Sequence, residues 1–173
     1  MPTWIVVTFL FWLCAADGLI RAESGLQARI GPSGDYLEWE HQSNGQTVKE
    51  YLPLYQSGTV RYFSAGVGLQ ERQAEYPHFS LKLVFTAGGK PYLTSVDVAI
   101  RARDGETAVT IPKEQVEGPW LFVDLPTGMY DITATHGTQQ RSLKGVKIIA
   151  GTQKIVYLRW AEDVGASVNL PTD

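Results

Sequence analysis

Cysteine is almost absent from this chain of 173 residues, and its single occurrence, Cys14, lies inside an apolar run near the amino terminus. Once that run is removed, the chain can form neither a disulfide nor a thiolate metal site. Leu13 precedes Cys14, whereas a lipoprotein signal places a small residue there, so we do not expect lipidation. An exported domain without disulfides must be stabilised by its apolar core, which suits a bacterial periplasm.

Long hydrophobic runs are also missing. The longest apolar stretch, WIVVTFLFWLCAA at residues 4–16, is interrupted by Thr8 and followed by Asp17. It is too short to span a bilayer comfortably but has the length of a signal-peptide core. We predict a signal peptide over residues 1–22, with cleavage after Ala16 or an uncleaved anchor as alternatives. The mature chain is then periplasmic or secreted and does not span the membrane.

Clustered positive charge is the third absence. The chain has 15 Lys and Arg against 18 Asp and Glu, a formal net charge of −3 and a pI near 5.6. Its basic residues are scattered along the sequence. Nucleic acids and anionic membranes are bound by clustered Lys and Arg, so neither is an expected partner.

The second half of the chain alternates apolar and polar residues with a period of two, as half-buried strands do. Leu81, Leu83 and Phe85 share one face of the first such segment, with Lys82 and Thr86 on the other. The same alternation gives these inward sets: Val96, Val98, Ile100; Leu121, Val123, Leu125; Tyr130, Ile132, Ala134; Val156, Leu158, Trp160. Strands spaced about a dozen residues apart predict an all-β antiparallel sandwich of about seven strands over residues 79–160.

The flanking segments lack this rhythm. Residues 23–78 predict a mostly irregular N-terminal extension, with short strands on either side of Gln56-Ser57-Gly58 and a short helix over residues 69–75 that stops before Pro77. Residues 161–173 are acidic and predict a flexible tail.

Residues 79–160 resemble the carboxypeptidase regulatory-like domain, a transthyretin-like β-sandwich. The hairpin FVDLPTGMYDITA at residues 122–134 and the closing strand after Gly151 carry the resemblance. Residues 62–85 also resemble a segment that accompanies this domain in exported proteobacterial proteins. The resemblance implies an accessory or interaction module and no particular activity.

No arrangement of residues indicates catalysis. The chain has no Gly-x-Ser-x-Gly nucleophile elbow, and nothing singles out an acid/base pair among its carboxylates. LPTG at residues 125–128 indicates a turn. GVGLQER at residues 66–72 indicates a bend in which Glu71 and Arg72 either form a local ion pair or pack the turn onto the sandwich. We therefore predict a non-enzymatic protein without a cofactor.

The three histidines, His41, His78 and His136, are far apart in the sequence, whereas metal sites often place ligands at tight spacing. No metal site is predicted. Metal binding through His78 or His136 is a weak alternative.

Aromatic residues are frequent between residues 51 and 92. If exposed, they could stack on sugar rings or anchor a partner. If buried, which is the favoured interpretation, they belong to the core or to the seam between the N-terminal segment and the sandwich. The candidate binding residues are Tyr51, Tyr55, Tyr62, Phe63 and Tyr92. The same two alternatives apply to Trp120 and Trp160.

The leading functional hypothesis is an exported, non-enzymatic β-sandwich module that interacts with another periplasmic or cell-surface protein. A strand edge or the turn at residues 126–128 would present the contact surface. The alternative is a glycan- or small-ligand-binding protein that uses the N-terminal aromatic residues.

Overall fold

The computed structural model describes residues 26–88, 93–103 and 106–161. The predicted signal peptide, Tyr92 and the predicted tail beyond residue 161 lie outside these ranges. No helix in the described ranges is long and apolar enough to cross a membrane.

Short strands make up most of the described chain. They are β1 (Arg29–Ile30), β2 (Tyr36–Ser43), β3 (Gln46–Pro53), β4 (Tyr55–Ser57), β5 (Val60–Ala65), β6 (Leu81–Ala87), β7 (Asp97–Ala102), β8 (Thr107–Ile111), β9 (Trp120–Asp124), β10 (Gly128–His136), β11 (Gln139–Ile148) and β12 (Lys154–Trp160). The helix α1 covers Leu69–Gln73, and a 3₁₀ turn covers Lys113–Gln115.

The strands form three sheets. An amino-terminal sheet has the order β1-β2-β3, a second sheet the order β11-β10-β7-β8, and a central sheet the order β12-β6-β9-β5-β4. All pairs are antiparallel except β12 with β6, which is parallel. The prediction of an all-β chain with antiparallel sheets is confirmed. The twelve strands in three sheets of the described ranges differ from the predicted single sandwich of about seven, because five strands precede residue 78.

The main core lies between the central sheet and the four-stranded sheet. Their buried side chains form one cluster to which the predicted inward residues belong, among them Leu83, Ile100, Leu121, Ile132 and Leu158. The two-residue alternation therefore identified the core faces of these strands.

A smaller core lies on the opposite, outer face of the central sheet. Phe63 of β5 and Phe122 of β9 stack there with their ring centroids 4.5 Å apart. Leu37 of the amino-terminal sheet and Phe79 are buried in the same cluster. The amino-terminal sheet thus covers the part of this face formed by β5 and the adjacent part of β9.

The structure corrects the prediction of a mostly irregular N-terminal extension. Strands β2 and β3 form a hairpin, joined by Asn44 and Gly45, whose φ angles are 51° and 77°. An Asn-Gly pair with positive φ at both positions is the preferred two-residue hairpin turn. Strands β4 and β5 belong to the central sheet, so hydrogen bonding crosses the domain boundary predicted at residue 78.

Candidate functional site

Beside the smaller core, against which Trp120 packs, lies the remaining outer part of the central sheet, formed by β12, β6 and the start of β9. We call it the Lys82 face. It consists of Lys82, Val84, Thr86, Trp120, Ile155, Tyr157 and Arg159, which line one shallow depression.

Strand register arranges these side chains in rows. Val84 of β6 lies opposite Trp120 of β9 on one side and Tyr157 of β12 on the other. Because side chains one pair apart point to opposite faces, the next outward rows pair Lys82 with Ile155 and Thr86 with Arg159. Rigid strands therefore hold a cation at each end of a largely apolar strip.

Lys82 lies against aromatic rings. Its Nζ atom is 3.5 Å from the centroid of the Trp120 ring and 5.0 Å from that of Phe122. Burial lowers the pKa of Lys82 from its ordinary value. A cation over an aromatic face is stabilised by the ring quadrupole, so the ammonium is held in place while it remains partly accessible.

Apolar side chains stand exposed beside this cation. Ile155 is 48% exposed and Tyr157 is 57% exposed, although both belong to a regular strand. Between β12 and β9, Val84 and Thr86 are buried. The Thr86 hydroxyl finds no hydrogen-bond partner in the described part of the chain. The depression has a volume of about 220 Å³.

The predicted aromatic binding residues do not share a surface. Tyr62 points into the main core and Phe63 into the smaller core, so they lie on opposite faces of β5. Tyr55 is half-buried and stacks on Tyr62 with a centroid distance of 5.6 Å. Tyr51 is 56% exposed on the amino-terminal sheet, where it contacts Tyr36 edge to face. Tyr92 lies outside the described residues.

The histidines are placed on separate elements. His41 of β2 lies 3.2 Å from Glu50 of β3, His78 precedes β6, and His136 ends β10. Within the described ranges there is no group of three or more His, Cys, Asp or Glu side chains that could hold a metal ion.

The GVGLQER segment is a self-bonded loop, as its predicted structural role requires. The Glu71 carboxylate accepts hydrogen bonds from the backbone N–H groups of Gly66 at 2.7 Å and Val67 at 3.1 Å. The Arg72 guanidinium donates to the carbonyl oxygens of the same two residues. Gly66 has a φ of 99°, and a Cβ atom there would lie 2.9 Å from the Trp120 ring. This loop therefore abuts the Lys82 face at Trp120.

Sequence reasoning assigned Lys82 and Thr86 correctly to the outer side of their strand but gave them no role. The available signal was in β12, where Ile155 and Tyr157 occupy outward positions that a solvated strand usually gives to polar residues. Apolar residues on both sides of a strand are typical of strands whose two faces are both covered.

No protein-family model matches this chain, and neither the curated proteins nor the solved structures contain a significant match to it. What the fold and the face define is an all-β protein whose central sheet carries an exposed apolar and cationic surface.

Proposed function

We propose that this protein is an exported, non-enzymatic module that binds a partner protein through the Lys82 face. The observation that carries the proposal is the exposure of Ile155 and Tyr157 on a regular strand beside the half-buried Lys82. Exposed apolar side chains grouped on a rigid surface and rimmed by polar groups are typical of protein interaction sites.

The composition of the face supports this function. Aromatic residues and Arg are enriched in protein interfaces, and here Trp120 and Tyr157 lie on one row and Arg159 on the next. A strand-borne surface also loses little conformational entropy on binding, because the backbone is already ordered.

Two sequence features support the remaining parts of the proposal. The apolar run at residues 4–16 is the basis for export. The resemblance of residues 79–160 to the carboxypeptidase regulatory-like domain favours an accessory role over catalysis.

Site-specific photocrosslinking in cells that naturally produce the protein tests the proposal. A photoreactive amino acid at position 157 should give an adduct of discrete mass. The same residue at position 110, an exposed position on the four-stranded sheet, is the matched control and should give none. Loss of the adduct on adding Ile155→Ser would support the Lys82 face, whereas equal adducts from both positions, or none from position 157, would contradict it.

A further inference from the structure

We propose that the Lys82 face accepts a segment of the partner polypeptide in which an Asp or Glu side chain is flanked by apolar residues. This inference rests on the proposed function and specifies the chemistry of the partner. Two features of the face carry it: cations that form no ion pair within the described ranges, and an exposed apolar strip.

The charge of the face is one-sided. Its seven residues include two cations, Lys82 and Arg159, and no carboxylate. Neither side chain forms an ion pair with any residue of the described ranges. On a chain with a net charge of −3, this is a local excess of positive charge.

Some other cations of the sheets are paired with carboxylates, and others, such as Lys144, form no ion pair within the described ranges. Arg61 of the same central sheet lies 3.0 Å from the Asp124 carboxylate. On the amino-terminal sheet, Lys49 lies 3.1 Å from Glu40. A partly buried cation contributes most when an opposite charge reaches it, so a carboxylate is the complementary group for Lys82.

Hydrogen-bond donors on the face are also available to such a group. The Lys82 ammonium has three N–H donors, and the contacts it makes in the described chain are with the Trp120 and Phe122 rings. A carboxylate oxygen can accept a hydrogen bond from this ammonium.

A free anion would leave the apolar strip of the face exposed to water. Ile155 pairs with Lys82 and Tyr157 pairs with Val84, and the side chains of Ile155 and Tyr157 are about half exposed. Covering them removes apolar surface from water, which a neighbouring apolar side chain on the partner would achieve. The complementary ligand therefore carries its carboxylate beside apolar residues.

The shape of the face favours a polypeptide over a small molecule. The depression of about 220 Å³ is smaller than the roughly 300–1,000 Å³ of sites that enclose small ligands. A shallow, strand-borne surface cannot surround a small ligand, but it can pack against an extended peptide or the surface of a folded partner.

Selection from a random twelve-residue peptide library displayed on phage tests this inference with the full mature chain as bait. We expect the enriched peptides to carry Asp or Glu next to apolar residues. Affinity should fall about tenfold or more for Lys82→Met, because a charge-assisted hydrogen bond is lost. The matched control is Lys144→Met, which changes an exposed lysine of β11 and should leave affinity unchanged.

The outcomes separate this inference from the proposed function. Enriched peptides that lose binding with Tyr157→Ala but show no acidic preference would overturn the inference and leave the proposed function standing. A selection that yields no peptide dependent on Tyr157 would contradict both. Thermal unfolding of each variant that is no less cooperative than that of the wild type, with a midpoint close to it, shows that loss of affinity comes from the face and not from the fold.

Discussion

The outer face of the central sheet has two halves that differ in how they meet their surroundings. The covered half, around Phe63 and Phe122, is closed by the amino-terminal sheet, and these two side chains are at most 3% exposed. The Lys82 face continues the same sheet over β9, β6 and β12, yet its apolar residues Ile155 and Tyr157 stay about half exposed. One half of this face is therefore buried in an intramolecular interface. The other half has the residue composition of an interface, but no described part of the chain covers it.

The two halves differ in the polar groups that they contain. The covered half is formed by aromatic and aliphatic side chains, because an unpaired charge buried there would be costly. The Lys82 face has a cation at each end and a hydroxyl without a partner in the described ranges. Charges at the rim are compatible with a contact that forms and dissociates, whereas a permanent core excludes them.

A substitution in the covered half should lower the free energy of unfolding the most. Phe63→Ala should lower the free energy of unfolding by about 3–5 kcal/mol, because it removes a fully buried ring stacked on Phe122. The matched variant on the open half, Tyr157→Ala, should change it by no more than about 0.5 kcal/mol. Urea denaturation of both variants measures the difference. Similar losses would show that the two halves are equally important to stability and would remove the contrast.

The sequence predicted the main core better than this outer face, for a physical reason. Two-residue alternation identifies the buried side of a strand, so Leu83, Ile132 and Leu158 were assigned correctly. It does not show what lies over the other side, which depends on where a distant hairpin packs. The hairpin itself could have been predicted from Asn44-Gly45 between two strand-like segments.

Pairing direction and site assignment were harder to predict. Strand β12 pairs in parallel with β6, and alternation is the same for parallel and antiparallel partners. The five aromatic candidates were chosen by their closeness in sequence, but Tyr62 and Phe63 are consecutive and therefore face opposite ways. Residues of the Lys82 face come from three separate strands, so only the assembled sheet brings them together.

A smaller loss of stability is expected in the loop at the boundary between the two halves. Glu71→Ala removes the acceptor of the Gly66 and Val67 N–H groups and should lower the free energy of unfolding by about 1–2 kcal/mol. Gln70→Ala, at the exposed neighbouring position of α1, is the control and should change little. Urea denaturation checks both variants. If Glu71→Ala were neutral, water would satisfy these amides equally well.

A pH-dependent effect is expected beside the covered half at Tyr76. Burial, with a further contribution from the Glu71 charge, raises the pKa of Tyr76 well above its ordinary value. Above about pH 10 the unfolded chain releases this proton while the folded chain keeps it, so the free energy of unfolding falls as pH rises. At pH 11 this group should cost about 1 kcal/mol.

Tyr76→Phe tests this dependence. It removes the hydrogen bond from the Tyr76 hydroxyl to the Glu71 carbonyl, so the variant should be slightly less stable than the wild type at neutral pH. The free energy of unfolding of the variant should nevertheless fall less than that of the wild type between about pH 9 and about pH 11, the interval that brackets the ordinary tyrosine pKa. Urea denaturation at both pH values measures the slope, and a slope equal to that of the wild type would contradict the prediction.

The smallest expected effect is on the open half, at Lys82. Burial lowers the pKa of Lys82, so the folded chain releases this proton at a lower pH than the unfolded chain does. Between these two pKa values the unfolded chain binds more protons, and the free energy of unfolding rises with pH.

Lys82→Met removes the buried charge and should therefore be slightly more stable than the wild type at neutral pH, by on the order of a few tenths of a kcal/mol. The wild type should close this gap as pH approaches about 10. Lys144→Met should show no such gap in the same urea denaturation series. A Lys82→Met variant that is less stable than the wild type at neutral pH would contradict this prediction. It would mean that attraction of the ammonium to the Trp120 ring outweighs the cost of its burial. Lys82 would then stabilise the fold, as the residues of the covered half do.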